Sequence, residues 1–210
     1  GLGDVYKRQL LGWAPEGEQE IFSLDEMIKI WDPARISKSP AIFDPLKLRA
    51  INAAYIRALP AEEFRKLADP FIDQAVHVQI DRDLLCANLQ PRCEVLEDIP
   101  PQLDFFDAVL PIDAEMYRNK KQKTTPESAK EALSALLPVL EAQTDWSRDA
   151  IFEACKQKAE AMEKKNGWLL FPLGIALSGK ARTPGGGTDL AAMMGKEETL
   201  RRLNAAIEAL

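Results

Sequence analysis

Apolar residues recur every three or four positions along most of the chain, a spacing typical of amphipathic helices that pack around a core. No alternation of apolar and polar residues repeats as it would in strands, so the pattern predicts an all-α fold. For the short apolar segment 168–179, periodicity leaves a strand or a buried helix open, and the helical neighbours favour a helix. The apolar side chains expected to face inward are Leu48, Ile51, Tyr55, Leu59, Phe64, Leu67, Ala68, Phe71, Ile72, Ala75, Leu133, Leu136, Leu137, Leu140, Ile151, Cys155, Ala159, Met162, Leu200, Leu203, Ile207 and Leu210.

Capping and breaking residues predict where several helices begin and end. Ser23 and Glu26 have the spacing of a capping box, and Asp44 stands before a proline as an N-cap residue does. Pro70 predicts a kink or a new segment in the helix that begins near residue 61. The pair Asn166-Gly167 predicts the end of a helix that starts after residue 147.

The charge balance describes a globular chain with an acidic surface. The chain has 210 residues, of which 46% are hydrophobic and 29% charged, and its formal net charge is -6. This balance argues against a general nucleic-acid binder, whose affinity rests on a basic surface, but it permits a local basic face. Basic residues do cluster in 118–123, 179–182 and 200–203.

Neither a membrane nor a metal site is expected from the sequence. No apolar run approaches the roughly 20 residues of a membrane-spanning helix. The three cysteines form no C-x-x-C pair, and the single histidine, His77, lacks metal-ligand spacing. Because so few cysteines do not make a disulfide framework, we expect a reducing compartment and a cytoplasmic location.

Residues 1–9 are set aside from fold prediction. Their segment "DVYKRQ" back-translates readily to GAT GTG TAT AAG AGA CAG, which resembles a transposon end used to build sequencing libraries. We therefore expect residues 1–9 to be adapter-derived or non-native.

Three segments carry a specific family resemblance. They are "LLGWAPEGEQEIFSLDEMI" at 10–28, "RISKSPAIFDPLKLRAINAAYIRAL" at 35–59 and "FPLGIALSGKARTPGGGTDLAAMMGKEETLRRL" at 171–203. In this order they resemble the C-terminal half of bacterial glutamyl-tRNA synthetases, which are class I aminoacyl-tRNA synthetases. The resemblance implies a helical stem-contact module over 10–60, followed by two small helical anticodon-binding modules over 61–118 and 119–210.

The segment Ile36-Ser37-Lys38-Ser39 looks like the lysine-serine loop that class I synthetases close over ATP. In the resembled family, however, that loop lies upstream of "LLGW", so Lys38 is expected near the RNA backbone, or as a cation at a helix end, and not at ATP. One histidine cannot form the His-Ile-Gly-His signature, and no glycine-rich β/α segment builds a nucleotide-binding sheet. We therefore expect no catalytic residue and no cofactor in this chain, with ATP and Mg used by the missing catalytic half.

Arg92 is the strongest candidate binding residue, because the pattern around Pro91-Arg92 matches the family position implied to recognise the third anticodon base. Glutamate tRNAs carry C there and glutamine tRNAs carry G. Arginine has only donors, which pair with the O2 and N3 acceptors of cytosine and oppose the N1-H and N2-H donors of guanine. An arginine that interacts with a helix C-terminus is the plainer alternative.

The segment 176–187 matches the family's second anticodon loop, and Thr183 occupies a position implicated in anticodon contact. Lys180 and Arg182 are expected phosphate contacts, with a flexible surface loop as the alternative for this segment. Lys47 and Arg57 are further candidates on the stem-contact helix, where ordinary helix solubility explains them equally well.

One departure from the family is Gly174, where relatives often carry an arginine implicated in anticodon contact. Its absence puts recognition of the first two anticodon bases in doubt, because RNA bases usually stack on aromatic or guanidinium planes. Arg182 or Trp168 could substitute for it.

The resemblance thus predicts the tRNA-binding, anticodon-recognising half of a glutamate–tRNA ligase, which is inactive alone. Its expected partners are glutamate tRNA and the catalytic half of the enzyme, and neither DNA nor a membrane. The alternative is a helical protein-interaction module that has lost RNA binding, which the acidic charge and Gly174 favour. An enzyme with relaxed specificity for glutamine tRNA is disfavoured by Arg92.

Overall fold

The computed structural model describes Trp13, residues 22–36 and residues 44–210. Lys38 and the expected non-native residues 1–9 lie outside these residues. The described helices are α1 Leu24–Ile30, α2 Pro45–Ala58, α3 Ala61–Ile72, α4 Arg82–Leu89, α5 Pro126–Ala142, α6 Arg148–Ala161, α7 Asn166–Ser178, α8 Gly187–Met194 and α9 Lys196–Ala209. Short 3-10 helices span Pro33–Arg35, Gln90–Arg92, Leu96–Asp98, Pro100–Gln102 and Ala114–Tyr117.

The described part contains no β-strand, only two isolated bridges, so the prediction of an all-α fold is confirmed. Local caps form as their spacing predicts. Ser23 Oγ accepts a hydrogen bond from the Glu26 amide at 3.2 Å, and the Glu26 carboxylate accepts one from the Ser23 amide at 2.7 Å. Asp44 accepts hydrogen bonds from the Leu46 and Lys47 amides at the start of α2.

Two predicted helix boundaries differ from the structure. Helix α3 continues through Pro70 to Ile72, so Pro70 does not start a new segment. Pro70 lacks the N–H that would bond the Lys66 carbonyl, and the predicted kink stays a prediction. Asn166 begins α7 and does not end α6. Helix α6 ends at Ala161, and Glu163 adopts the left-handed conformation (φ 55°) that a glycine more often adopts at a helix end.

Helix α7 lies at the centre of the larger helical group, in contact with α5, α6, α8 and α9. Eight of its thirteen residues are buried and none is exposed, which confirms the prediction of a buried helix for 168–179. One continuous apolar core extends from Ile56 to Ala206 and crosses residue 118 without a break. The predicted borders near residues 60 and 118 remain predictions.

A buried arginine joins the segments on either side of residue 118. Arg202 in α9 donates hydrogen bonds to the carbonyl oxygens of Phe105 and Leu177, at 2.7 and 2.6 Å, and to that of Phe106 at 2.7 Å. Its Nε pairs with Glu198 at 2.5 Å. Hydrogen bonds from Arg201 and Arg202 lower the pKa of the Glu198 carboxyl to about 2. Buried charges are normally paired and hydrogen-bonded in this way.

Candidate nucleic-acid interface

A cleft of about 660 Å³ opens where two stretches distant in sequence meet. The 3-10 helices Gln90–Arg92 and Pro100–Gln102 contribute to one wall, and α7 with the loop 180–187 forms the other. Its volume falls within the roughly 300 to 1,000 Å³ of pockets that enclose small ligands. The lining residues are Arg92, Gln102, Leu170, Phe171, Gly174, Ile175, Lys180, Ala181, Arg182, Thr183, Gly185, Gly186 and Gly187.

Arg92 and Thr183, which are 91 residues apart in sequence, meet in this cleft. The turn after α4 places Arg92 at the surface, since the next residue, Cys93, is buried and anchors the turn. Arg92 Nη1 lies 3.5 and 3.4 Å from the carbonyl oxygens of Thr183 and Pro184. These distances exceed the usual 2.7 to 3.2 Å range of N–H to oxygen hydrogen bonds, so both contacts are weak.

Most arginines of the described part form ion pairs with carboxylates, whereas Arg92 does not. Arg57, Arg92 and Arg182 form no ion pair with any described carboxylate. All three are exposed, and all three were predicted to contact RNA. The arginines that do pair with carboxylates are Arg49, Arg65, Arg82, Arg118, Arg148, Arg201 and Arg202.

The Thr183 loop is held in place by a short chain of polar contacts. Thr183 Oγ1 donates to the Gly185 carbonyl at 2.5 Å, and its oxygen keeps lone pairs for a further donor. The Asp189 carboxylate accepts from the Gly186 amide at 2.7 Å and from Arg148 Nε at 3.0 Å. The loop therefore presents Thr183 from a fixed backbone.

Helices α7 and α8 approach closely at Gly187, which lines the cleft. A Cβ at Gly187 would lie 2.8 Å from the Leu170 carbonyl oxygen and 2.9 Å from the Gly174 amide nitrogen, so only glycine fits. A Cβ at Gly174 would meet only ordinary contacts, the nearest at 3.7 Å. Gly174 therefore has room for a Cβ without a clash.

The other predicted cations fall into two groups. Lys180 Nζ donates to the Pro101 carbonyl at 2.8 Å and pairs with Asp104, so it joins the two walls of the cleft. Phosphate contact by Lys180 would require it to leave that pair. Arg182 lines the cleft, whereas Lys47 and Arg57 lie on α2, outside it.

Of the two residues proposed to replace the missing arginine plane, Trp168 does not line the cleft. It is buried, and Lys164 Nζ lies 5.1 Å from its ring centroid. Phe171, one turn further along α7, lines the cleft instead. Phe171 stands within a uniformly apolar segment, so little in the sequence distinguishes it from its buried neighbours.

Thiol and metal chemistry have little support in the described residues. Burial raises the pKa of Cys86 and Cys93 to about 11 and that of Cys155 to about 12, so these thiols stay protonated at neutral pH. Within the described ranges, no three His, Cys, Asp or Glu residues are grouped as metal ligands. No described helix is long and apolar enough to span a membrane.

Comparison with known proteins assigns the part of the chain that forms this cleft to a protein family. Residues 52–207 match the family model described as "Anticodon binding domain". The chain belongs to this anticodon-binding family. The match covers both segments that form the cleft, from α2 to α9, and confirms the resemblance found in the sequence.

Curated relatives of this family member are glutamate–tRNA ligases. The ligase of Clostridium botulinum strain Hall is 43% identical over 201 residues, which are 96% of this chain and 41% of the relative. That of Clostridium acetobutylicum is 43% identical over 202 residues, covering 96% and 42%. The chain therefore spans about two fifths of the relatives' length and corresponds to their C-terminal half.

Solved structures agree with the fold. A glutamate tRNA ligase from Elizabethkingia meningosepticum CCUG26117, in complex with its amino acid, matches with a TM-score of 0.81 and 27% identity over 100% of this chain and 41% of that one. Glutamate-tRNA synthetase from Elizabethkingia anophelis matches with a TM-score of 0.79 and 26% identity, over 99% and 40%.

Proposed function

We propose that this chain is the tRNA-binding, anticodon-recognising half of a glutamate–tRNA ligase. The observation that carries the proposal is the meeting of Arg92 and Thr183 in one cleft. Arg92 supplies a guanidinium without a carboxylate partner among the described residues, and Thr183 supplies a hydroxyl oxygen that can accept a further hydrogen bond. Membership of the anticodon-binding family and the names of the relatives support the same substrate, a glutamate tRNA.

Arg92 would discriminate the third anticodon base by its donors. Among the described residues, Arg92 bonds protein oxygens through Nη1 alone, and it does so weakly, so its other N–H groups have no described partner and could meet a base. Cytosine presents two acceptors on its pairing edge, whereas guanine presents two donors that oppose those of arginine. By analogy with arginine contacts to DNA bases, such a contact is worth about 1 to 3 kcal/mol of discrimination.

Anticodon binding by this half would position the distant acceptor end of the tRNA at the catalytic half. Binding energy from remote parts of a substrate is used in this way to orient the reacting atoms. The intact enzyme would attach glutamate to the tRNA with ATP and Mg in the cytoplasm. This chain alone is expected to form no glutamyl adenylate, because it lacks the His-Ile-Gly-His signature.

Equilibrium binding of this chain to a glutamate tRNA transcript tests the proposal, at two salt concentrations. A second transcript carries G in place of C at the third anticodon position. We expect the C form to bind roughly 5- to 150-fold more tightly, and Arg92→Ala to remove that difference. Arg92→Lys is the matched variant, since it keeps the charge but loses the planar array of donors, so it should retain binding and lose discrimination.

Arg118→Ala controls for loss of one positive charge, because Arg118 is exposed and paired with Glu115 away from the cleft. It should leave the preference for C unchanged. If both transcripts bind weakly and alike, and binding depends only on salt, the chain is a general phosphate binder at most. The helical protein-interaction module would then be the better description.

A further inference from the structure

A basic surface lies outside the cleft, on two short segments to which the proposed function gives no role. This lysine patch consists of Lys120, Lys121, Lys123, Lys164 and Lys165. All five lysines are exposed, and none pairs with a carboxylate among the described residues, although Glu163 is exposed beside them. Lys66, Lys156 and Lys180, by contrast, each pair with a carboxylate. In a chain of formal net charge -6, the patch is therefore a local excess of positive charge.

The loop 119–124 holds three of these lysines on a fixed backbone. The backbones of Asn119 and Thr124 exchange two hydrogen bonds of 3.1 Å, and Thr124 is buried. Asn119 Oδ1 also accepts hydrogen bonds from the Lys121 and Gln122 amides, at 3.0 and 3.1 Å. The lysine side chains thus extend from a closed turn and not from a flexible tail. Less conformational freedom is lost when an anion binds to a surface ordered in this way.

This loop packs on the face of α7 that also lines the cleft. Gln122 lies against Gly167, where an added Cβ would overlap its side-chain amide. Gly167, Phe171 and Gly174 are four and three positions apart, so they share one face of the helix, and the last two line the cleft. At about 1.5 Å of rise per residue, Gly167 and Phe171 are about 6 Å apart along the helix axis. Lys165 directly precedes α7, so both lysine segments lie at the same end of the cleft.

An RNA backbone has the chemistry that matches the lysine patch. Its phosphates carry negative charge at regular intervals, and lysine binds phosphate as a point charge on a flexible stem. The position at the end of the cleft favours RNA over an acidic protein as the partner. We infer that the lysine patch binds the tRNA backbone next to the anticodon nucleotides that enter the cleft. This inference rests on the proposed function and adds a contact that is independent of the base sequence.

Salt dependence separates phosphate binding from base recognition. We would measure affinity for a glutamate tRNA transcript, and for its anticodon stem-loop alone, over a series of salt concentrations. The test variant carries Lys120→Gln, Lys121→Gln and Lys123→Asn, because asparagine tolerates the left-handed conformation (φ 57°) of Lys123. A second variant replaces the same three lysines by arginine and keeps their charge. Circular dichroism would verify that each variant is folded.

A matched control removes three positive charges elsewhere on the surface. It carries Lys66→Gln, Lys156→Gln and Arg201→Gln. These three cations pair with carboxylates and line neither the cleft nor the patch. The control therefore has the same net charge as the test variant, and it separates a local contact from a general electrostatic effect.

Each phosphate contact contributes about 0.7 to 0.9 to the slope of log affinity against log salt concentration. Three lost contacts should therefore reduce the slope of the test variant by roughly 2 to 3, with the tRNA and with the stem-loop alike. Between about 50 and 200 mM salt, the wild type should lose roughly 20- to 40-fold more affinity than the test variant. The arginine variant and the control should keep the wild-type slope. All variants should keep the preference for C, because phosphate contacts carry no sequence information.

Two outcomes would overturn the inference. One is a slope that does not change in the test variant, or that changes equally in the control. The other is a slope that falls with tRNA but not with the stem-loop, since the patch would then contact a remote part of the tRNA. In both cases, a preference for C that depends on Arg92 would leave the proposed function standing. A wild type without that preference would refute base recognition by Arg92, and a slope that still falls in the test variant would support backbone binding on its own.

Discussion

Replacing Arg202 by methionine should destabilise the protein strongly. The Arg202 side chain is fully buried, with 0% exposure. Its three hydrogen bonds of 2.6 to 2.7 Å reach carbonyl oxygens of Phe105, Phe106 and Leu177, and its Nε pairs with Glu198. Leu177 lies in the last turn of α7, where carbonyl oxygens have no partner within the helix. Methionine fills much of the same volume but donates to none of these oxygens.

The expected cost follows from the hydrogen bonds and the ion pair that methionine cannot make. Each hydrogen bond to a charged group contributes about 1.5 to 3 kcal/mol, and breaking a buried ion pair costs about 3 to 5 kcal/mol. Because methionine regains some apolar burial, we expect the free energy of unfolding to fall by about 3 to 5 kcal/mol. Domains have about 5 to 15 kcal/mol in total, and the melting temperature of a chain of this size should fall by roughly 6 to 20 °C.

Urea denaturation followed by circular dichroism measures this loss, and Arg201→Met provides the control. Arg201 bonds the same carboxylate of Glu198 at 2.7 Å, but its side chain is 61% exposed. An exposed pair contributes about 1 kcal/mol at most, so the control should lose little. Equal losses for the two variants would refute the reasoning, because burial would then make no difference to the contribution of the pair.

Three further results are expected. The pKa of Glu198 is lowered from 4.5 to about 2, so the ionised carboxylate should stabilise the folded chain by about 1 to 3 kcal/mol. This contribution is complete above pH 4.5 and is lost as pH falls toward 2. Denaturation of Glu198→Gln at a series of pH values should show a smaller loss of stability over this acidic range. Tyr117→Phe should leave the unfolding free energy unchanged or raise it by up to about 1 kcal/mol, because the buried hydroxyl has no hydrogen-bond partner in the described part of the chain. Gly187→Ala should lower it by about 1 to 3 kcal/mol, since its Cβ would lie 2.8 Å from a backbone oxygen of α7, whereas Gly186→Ala, with 3.4 Å to its nearest neighbour, should lose less in the same denaturation assay.

Features determined within a few residues could be predicted from the sequence. The cap of α1 needs only Ser23 and Glu26, and the start of α2 needs only Asp44 and the proline after it, so both boundaries were correct. The end of α6 was wrong, because Glu163 takes the left-handed conformation at a position where nothing in its side chain announces it. There the Lys164 amide bonds back to the Ala159 carbonyl at 2.9 Å, a helix ending that glycine makes more often.

In the candidate site, too, local features could be predicted from the sequence and long-range contacts could not. Arg92 and Thr183 were predicted because their local segments match a family pattern, and the structure brings them together. The pairing of Lys180 with Asp104 joins residues 76 apart, and the bond from Arg202 to the Phe105 carbonyl joins residues 97 apart. No periodicity or motif encodes such contacts, since they depend on how the helices pack.

The long contacts of Arg92 are consistent with a base-binding role. Lys180 and Arg202 join the two walls of the cleft by bonds of 2.6 to 2.8 Å, so the walls do not depend on Arg92 to stay together. Arg92 contacts the carbonyl oxygens of Thr183 and Pro184 in the opposite wall at 3.5 and 3.4 Å. Because these contacts are weak, a base that offers two good acceptors can replace them at little cost in free energy. The buried Arg202 therefore helps to hold the two walls of the cleft together. The exposed Arg92 can exchange its contacts with carbonyl oxygens for contacts with a base. On this argument Arg92→Ala should change tRNA discrimination with little change in stability, whereas Arg202→Met should lower the stability of the folded chain.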